Sequence, residues 1–275
     1  MDIIQRNLFR LLRSGVFHTT EEIEPMSVCK WERVYQLSFL HDIIPYCYQG
    51  LLRCKDQFFL HLTEKQWVEW KTTAEKTVKQ PVTNEQEEDS FLRPDHLTNP
   101  LLNSRLQRIL DNEDSDIATR RLLLKMIRVI RHILNEGLPI RQLLELGIYL
   151  RQHHQEMDYE MLGRWIDDLR LTQMVQLEGE FLIRFFGFEQ HELPFLQEGK
   201  DIQVEKIAKE LVDFANTRSK DWYFMQGNEN IFVHSNTSAI FSHIRRSARY
   251  FHYYPSESVT NFFSSFLHSL SHIEE

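Results

Sequence analysis

Several groupings in this 275-residue sequence have residue types and spacing that could do chemistry. His41 is followed directly by Asp42, with His18 upstream and Asp95 and Asp111 downstream, an order in which a His, a His-Asp pair and a distant Asp could hold the metal of a phosphohydrolase. Such a dipeptide is common by chance, and an ordinary polar pair near a helix end is the plainer account. Asp114-Ser115-Asp116 has the spacing of paired carboxylates that bind two magnesium ions for in-line attack at phosphorus. It stands immediately before a long apolar-periodic stretch, however, where acids and hydroxyls satisfy the open N–H groups and positive end of a helix, so capping explains it better.

Arg121, Lys125, Arg128 and His132 recur at helical spacing and make a basic stripe. With Arg141 they are the candidate contacts for an acidic ligand or a partner, the plainer alternative being a solvated helix face. The segment "IRRSARYFHYYP", residues 244–255, mixes arginine with aromatics as nucleic-acid surfaces do. Ile244, Ala248, Phe251 and Tyr254 within it also fit a conventional buried stripe. His153 and His154 are neighbours, which helical geometry points about 100° apart, so they do not share a metal readily. Cys29, Cys47 and Cys54 lack metal-knuckle spacing and lie among aromatic and apolar residues that suggest burial, where a thiol is inert. No GxSxG elbow is present.

The elements that would position these groups are helices. Only 9 Gly and 8 Pro are available for turns, too few for many short strands, while the apolar residues recur every three or four positions. Ile3, Ile4, Leu8, Leu11 and Leu12 form one face, expected to end at Ser14-Gly15. A second helix begins after Ser27 and meets Pro45, and Thr63 with Gln66 has capping-box spacing for another that stops before Pro81. Asn99-Pro100 reads as cap and first helical residue. Further helices are expected at 116–135 with a stop at Gly137, from Pro139, at 159–169, at 173–186 closed by Gly187, and at 202–216, 237–252 and 256–272. A short hairpin is plausible only near 221–234. Residues 81–97, with two prolines and an acidic run, form the linker between an N-terminal segment, 1–80, and a C-terminal one, 98–275, expected to pack as one unit.

A net charge of −8 argues against a general nucleic-acid binder, whose affinity comes from neutralising phosphates. The first residues carry Arg6, Arg10 and Arg13 through an amphipathic stretch and lack the apolar core and cleavage site of a signal peptide. No window approaches a run of apolar residues long enough for a membrane span. A reducing, cytoplasmic setting is the expectation.

The stretch "IRHILNEGLPIRQLLELGIYLRQHHQEMDYEMLGRWIDDL", residues 130–169, resembles the C-terminal helical part of a family of bacterial nucleotidyltransferases of the polymerase-β type. The matching positions are His132, Gly137, Ile140, Arg141, Gln142, Leu143 and Glu145, with Glu145 standing where the family more often has Asp. "LFRLLRSGVF", "WERVYQLSFLHDIIPYCYQGLL", "HLTNPLLNSRLQRIL" and "RRSARYFHYYPSESV" are similar to its other flanking segments, in the same order. What the family carries between the second and third of these is its catalytic core: a Lys-Gly segment, a strand with paired metal-binding carboxylates and a Glu-x-His strand. Residues 80–95 are too few for such a sheet, and only Asp95-His96 could be a relic of its last strand. No catalytic residue, cofactor or metal is therefore expected.

The sequence is thus expected to encode an all-α, multi-helix protein of roughly nine to eleven helices. Its function would be non-catalytic binding of a protein partner, a catalytically complete relative being one choice, or of an acidic ligand at Arg121, Lys125, Arg128, His132 and Arg141. The alternatives are a metal-dependent phosphohydrolase using His41 and Asp42, residual nucleotidyl transfer, and a nucleic-acid-binding helical module. Oligomeric state is left open.

Overall fold

The computed structural model describes residues 1–79, 93–112, 116–135, 140–197 and 251–271. Among them are ten α-helices, two short 3-10 turns and no strand, as the periodicity requires. The sequence-predicted hairpin near 221–234, the helices at 202–216 and 237–250, and most of the linker lie outside the described residues. No helix among the described residues is long and apolar enough to cross a membrane. The chain divides into two compact units: the N-terminal helices with Leu182–Phe188 form one, and the remaining described helices form the other.

In the first unit α1 (Ile3–Phe17) starts with a capping box, in which Asp2 accepts from the Gln5 N–H at 2.9 Å while Gln5 Oε1 accepts from the Asp2 N–H at 3.1 Å. The helix does not end at Ser14-Gly15 but runs to Phe17 and closes at His18, whose φ is 60°. Gly15 is there for proximity. A Cβ on it would strike the Tyr46 carbonyl and lie 2.7 Å from the Gly50 N, and a Cβ on Gly50 would strike the Leu11 carbonyl. Helix α1 therefore meets α3 (Ile44–Arg53) backbone to backbone.

Helix α2 (Val28–Leu40) turns Trp31, Val34 and Leu37 inward, and Pro45 sits in the first turn of α3, where its missing N–H costs nothing. Helix α4 (Glu64–Lys79) begins at the expected Thr63–Gln66 box, and its buried Trp70 meets the Tyr35 ring edge-on at 5.1 Å. Phe185 and Phe186 pack on Phe9, and Phe188 on Phe17, with centroids 4.8, 5.8 and 5.5 Å apart. Burying each such ring contributes about 1.5–3 kcal/mol. Gly187, at φ 70°, supplies the turn between them. Cys47 and Cys54 are buried, Cys47 with its thiol pushed up to about 12 by burial, but Cys29 is exposed at the first turn of α2, contrary to its apolar-looking context.

The irregular segment 18–27 has no ladder of its own and is held by side chains. The buried Asn7 carboxamide pairs with the Glu24 backbone, donating to its carbonyl at 2.9 Å and accepting from its N–H at 3.0 Å. Gln57 grips the Glu21 carbonyl at 2.6 Å and the Ile23 N–H at 2.8 Å in the same manner. Arg6 and Arg10 both bond Glu24, and Arg13 binds Glu21 through two nitrogens, each at 2.7 Å. The hydrogen bond from Arg6 leads in holding the Glu24 carboxyl down at about 2. Burial would raise that of Glu21, yet Arg13 and Thr19 outweigh it and the net shift is downward. Carboxylates depressed in the folded state stabilise it above the ordinary carboxylate range, and that contribution disappears as pH falls from about 4 toward the folded value. Urea midpoints should therefore fall between about pH 4 and pH 2, less steeply in a Glu24→Gln variant. Equal slopes would show that the cluster is not coupled to folding.

The second unit is built on α5 (Pro100–Leu110), α6 (Ile117–Asn135), α7 (Ile140–His153), α8 (Tyr159–Asp168), α9 (Thr172–Phe186, its last turn belonging to the first unit) and α10 (Pro255–Ser271). Asn99 caps α5 by accepting from the Leu101 and Leu102 N–H groups. Asp116 caps α6, accepting from the Thr119 N–H at 2.7 Å, while Asp114 and Ser115 lie outside the described residues. Leu122, Leu123, Met126, Ile127 and Ile130 of α6 are buried, as are Leu143, Leu144 and Leu150 of α7.

Two residues of α9, Gln176 and Glu178, break this apolar pattern, and the first is satisfied by the Gln197 backbone. Glu178 is buried, and among the described residues neither carboxylate oxygen has a partner. Burial, with no partner for the charge among the described residues, pushes its pKa well above the ordinary carboxylate value and so favours the protonated form. A carboxyl raised on folding stabilises most below its unfolded value of about 4.3, and the contribution is lost as pH rises toward the folded value. Glu178→Leu should raise stability at pH 7 by about 1–3 kcal/mol and flatten its decline above pH 5. A loss of stability in urea at pH 7 would mean that Glu178 has a partner essential to the fold.

Candidate functional site

The basic stripe proves to be graded. Arg121 is exposed and Lys125 and Arg128 are half-buried, but His132, a turn further on, is only 6% exposed. Lys125 places its ammonium 5.3 Å from the centroid of the Tyr149 ring of α7. Burial lowers the Lys125 pKa, with Glu145 opposing and Arg128 adding to the shift. His132 Nε2 lies 3.3 Å from the Gln142 amide nitrogen, and Arg141 donates to Glu145 at 2.8 Å one turn along its own helix. The stripe therefore follows the seam between α6 and α7 rather than an open face, and Tyr149 donates across it to the Ala118 carbonyl at 3.0 Å.

The metal candidates are not brought together. His18 closes α1 and bonds Arg53 at 3.0 Å, His41 closes α2, Asp95 is bound by Arg93, and Asp111 ends α5. Among the described residues no group of three or more His, Cys, Asp and Glu side chains is placed to hold a metal ion. His153 and His154 diverge, one to Glu156 at 2.9 Å and the other to the Tyr159 hydroxyl at 2.7 Å. Of the aromatic-basic segment, residues 244–250 lie outside the described residues; Phe251 is 49% exposed, against the expected buried stripe, and Tyr254 is fully buried.

The most unusual chemistry of the second unit surrounds Arg131, which lies between Arg128 and His132 in sequence and is turned about 100° from His132 around α6. Arg131 and Glu257 form an ion pair at 2.8 Å with both side chains 0% exposed. The same guanidinium nitrogen, Nη1, donates to Asn261 at 3.1 Å. Glu257 also accepts from the Thr98 N–H at 2.7 Å, the Thr98 hydroxyl at 2.9 Å and the Asn99 N–H at 2.9 Å. Asn261 in turn donates to Asn135 at 2.9 Å, and the Tyr254 hydroxyl donates to the Leu169 carbonyl at 2.9 Å. Burial lowers the Arg131 pKa against the pull of Glu257, but a guanidinium keeps its proton in any protein setting.

Sequence patterning passed over this cluster, although one signal was available: Arg131 stands four residues after Ile127 and three before Leu134, a charge inside the apolar stripe. Glu257, Ser258 and Asn261 share a face of α10 by spacing, yet a polar face carries no apolar signature, and of the cluster only Tyr254, just before the helix, stands in an expected buried stripe.

Comparisons with family models, with curated proteins and with solved structures found no match to this chain.

Proposed function

We propose that the protein acts without catalysis by binding a protein partner, as a helical relative of the nucleotidyltransferases whose flanking segments its sequence resembles, and that the first unit presents the contact. The observation that carries this is the turn after α3. Phe58 is 79% and Phe59 48% exposed, with their rings 5.2 Å apart and His61 edge-on to Phe58. The turn is tied down: Gln57 donates its N–H to the Cys54 carbonyl, its carboxamide grips segment 18–27, and Leu60 is buried. Exposed aromatics on a preorganised support lose little entropy on binding and have the character of interface anchors. The α6–α7 seam supports an acidic ligand less, because Arg141 already holds Glu145 and His132 is buried. Descent from a nucleotidyltransferase rests on the sequence resemblance, which favours a catalytically complete relative as the partner.

The test compares the wild-type chain with a Phe58→Ser, Phe59→Ser double variant as baits in native lysate. Proteins captured by the wild type should be lost from a variant that melts at the same temperature. Identical captures would sink the proposal, as would a rise in wild-type melting temperature with a nucleoside triphosphate and magnesium, which would point to a working nucleotide site.

A further inference from the structure

Arg131 has five N–H hydrogens, and its contacts use only those of Nη1, which serves both Glu257 and Asn261. Among the described residues Nε and Nη2 have no partner, although the side chain is fully buried. These two nitrogens form the side-on fork of the guanidinium, the edge that binds two oxygens of one carboxylate or phosphate in parallel. An unpartnered charged donor is among the costliest features a protein interior can hold, and such an edge calls for an acceptor. The Ser258 hydroxyl, one residue beyond Glu257 on the same buried face, is likewise without a partner among the described residues. The cluster stands at the N-terminus of α10, a 17-residue helix whose dipole favours negative charge there.

We infer that the second unit holds a small carboxylate ligand, bound through both oxygens by Nε and Nη2 of Arg131 at the first turns of α10. A monoanion is favoured over a phosphate dianion because Glu257 already neutralises Arg131, and the cost of burying an ion rises with the square of its charge. Tyr254, Glu257, Ser258 and Asn261, buried at the start of α10, are polar or carry a hydroxyl. This site is separate from the Phe58 turn and does not depend on a protein partner.

The experiment is thermal unfolding of the full chain at pH 7 and fixed ionic strength, with sodium acetate, sodium phosphate or sodium chloride, for the wild type and Arg131→Lys. Lysine keeps a charge toward Glu257 but has no second N–H edge. Acetate should raise the wild-type melting temperature over chloride by several degrees as its concentration increases, and should leave Arg131→Lys unmoved. Equal melting in acetate and chloride, or an equal rise in the variant, overturns the inference. A larger Arg131-dependent rise in phosphate overturns the choice of carboxylate. Should Arg131→Lys fail to fold, the Nε–H resonance of the buried arginine decides in the wild type. It must shift with acetate and not with chloride, and a resonance that ignores both would mean that water satisfies the edge.

Discussion

Gly50→Ala is expected to be among the most damaging single-methyl additions the protein can receive. The new Cβ would strike the Leu11 carbonyl and lie 2.7 Å from the Leu11 carbonyl carbon and 2.9 Å from its Cα, all backbone atoms of α1 that cannot rotate away. Alanine in a helix interior gains about 1 kcal/mol over glycine, but overpacking costs about 1–3 kcal/mol and more where, as here, the atoms met are backbone that cannot yield, so the clash wins. The glycines are reciprocal, since Gly15 faces Gly50 from the other helix, and Gly15→Ala should behave alike. Gly163 in α8 is the control: nothing lies within 4 Å of its added Cβ, and Gly163→Ala should stabilise by about 0.5–1 kcal/mol. Urea midpoints for the three variants give the comparison, and a Gly50→Ala protein as stable as wild type would show that α1 and α3 do not meet backbone to backbone.

Glu257→Ala should cost about 3–5 kcal/mol, the range for removing one partner of a buried ion pair. The loss is compound. Arg131 keeps a charge with no counter-ion, while the Thr98 and Asn99 N–H groups lose their acceptor at the entry to α5. Because both side chains are fully buried, added salt should change the cost little, unlike that of a surface pair. Combining Arg131→Met with Glu257→Leu should recover part of it, since two apolar side chains leave no stranded charge. A double-mutant cycle in urea reads the coupling directly, and additive single effects would mean that the two groups do not act as a pair.

Local chemistry in the sequence was the part most faithfully realised. Asn99-Pro100, the Thr63–Gln66 box and Asp116 all concern groups within a few residues, and each does at the helix start what its type demands. Gly15 shows the limit of such grammar. A glycine after an apolar run reads as a stop, and only the approach of Gly50, distant in sequence, reveals it as a contact point. Cys29 and Phe251 erred for a related reason, because apolar neighbours in sequence do not determine which side of a helix or turn faces the core. The basic stripe was visible as a spacing, but its burial depends on Tyr149, Gln142 and Glu145 of the next helix. Arg131 and Glu257 are 126 residues apart, and no periodicity links a charge on one helix to its counter-charge on another.

The carboxamides of Asn7 and Gln57 also bear on how the protein breathes. The amide hydrogens of Ile23 and Glu24 are bonded to side chains rather than to a helix or sheet. Their exchange with deuterium is therefore gated by the release of those two side chains and not by unwinding of α1 or α3. Segment 18–27 accordingly has its own opening equilibrium, and among the described residues of the first unit the peptide bonds between His18 and Ser27 become open to a protease at neutral pH while the helices on either side remain intact.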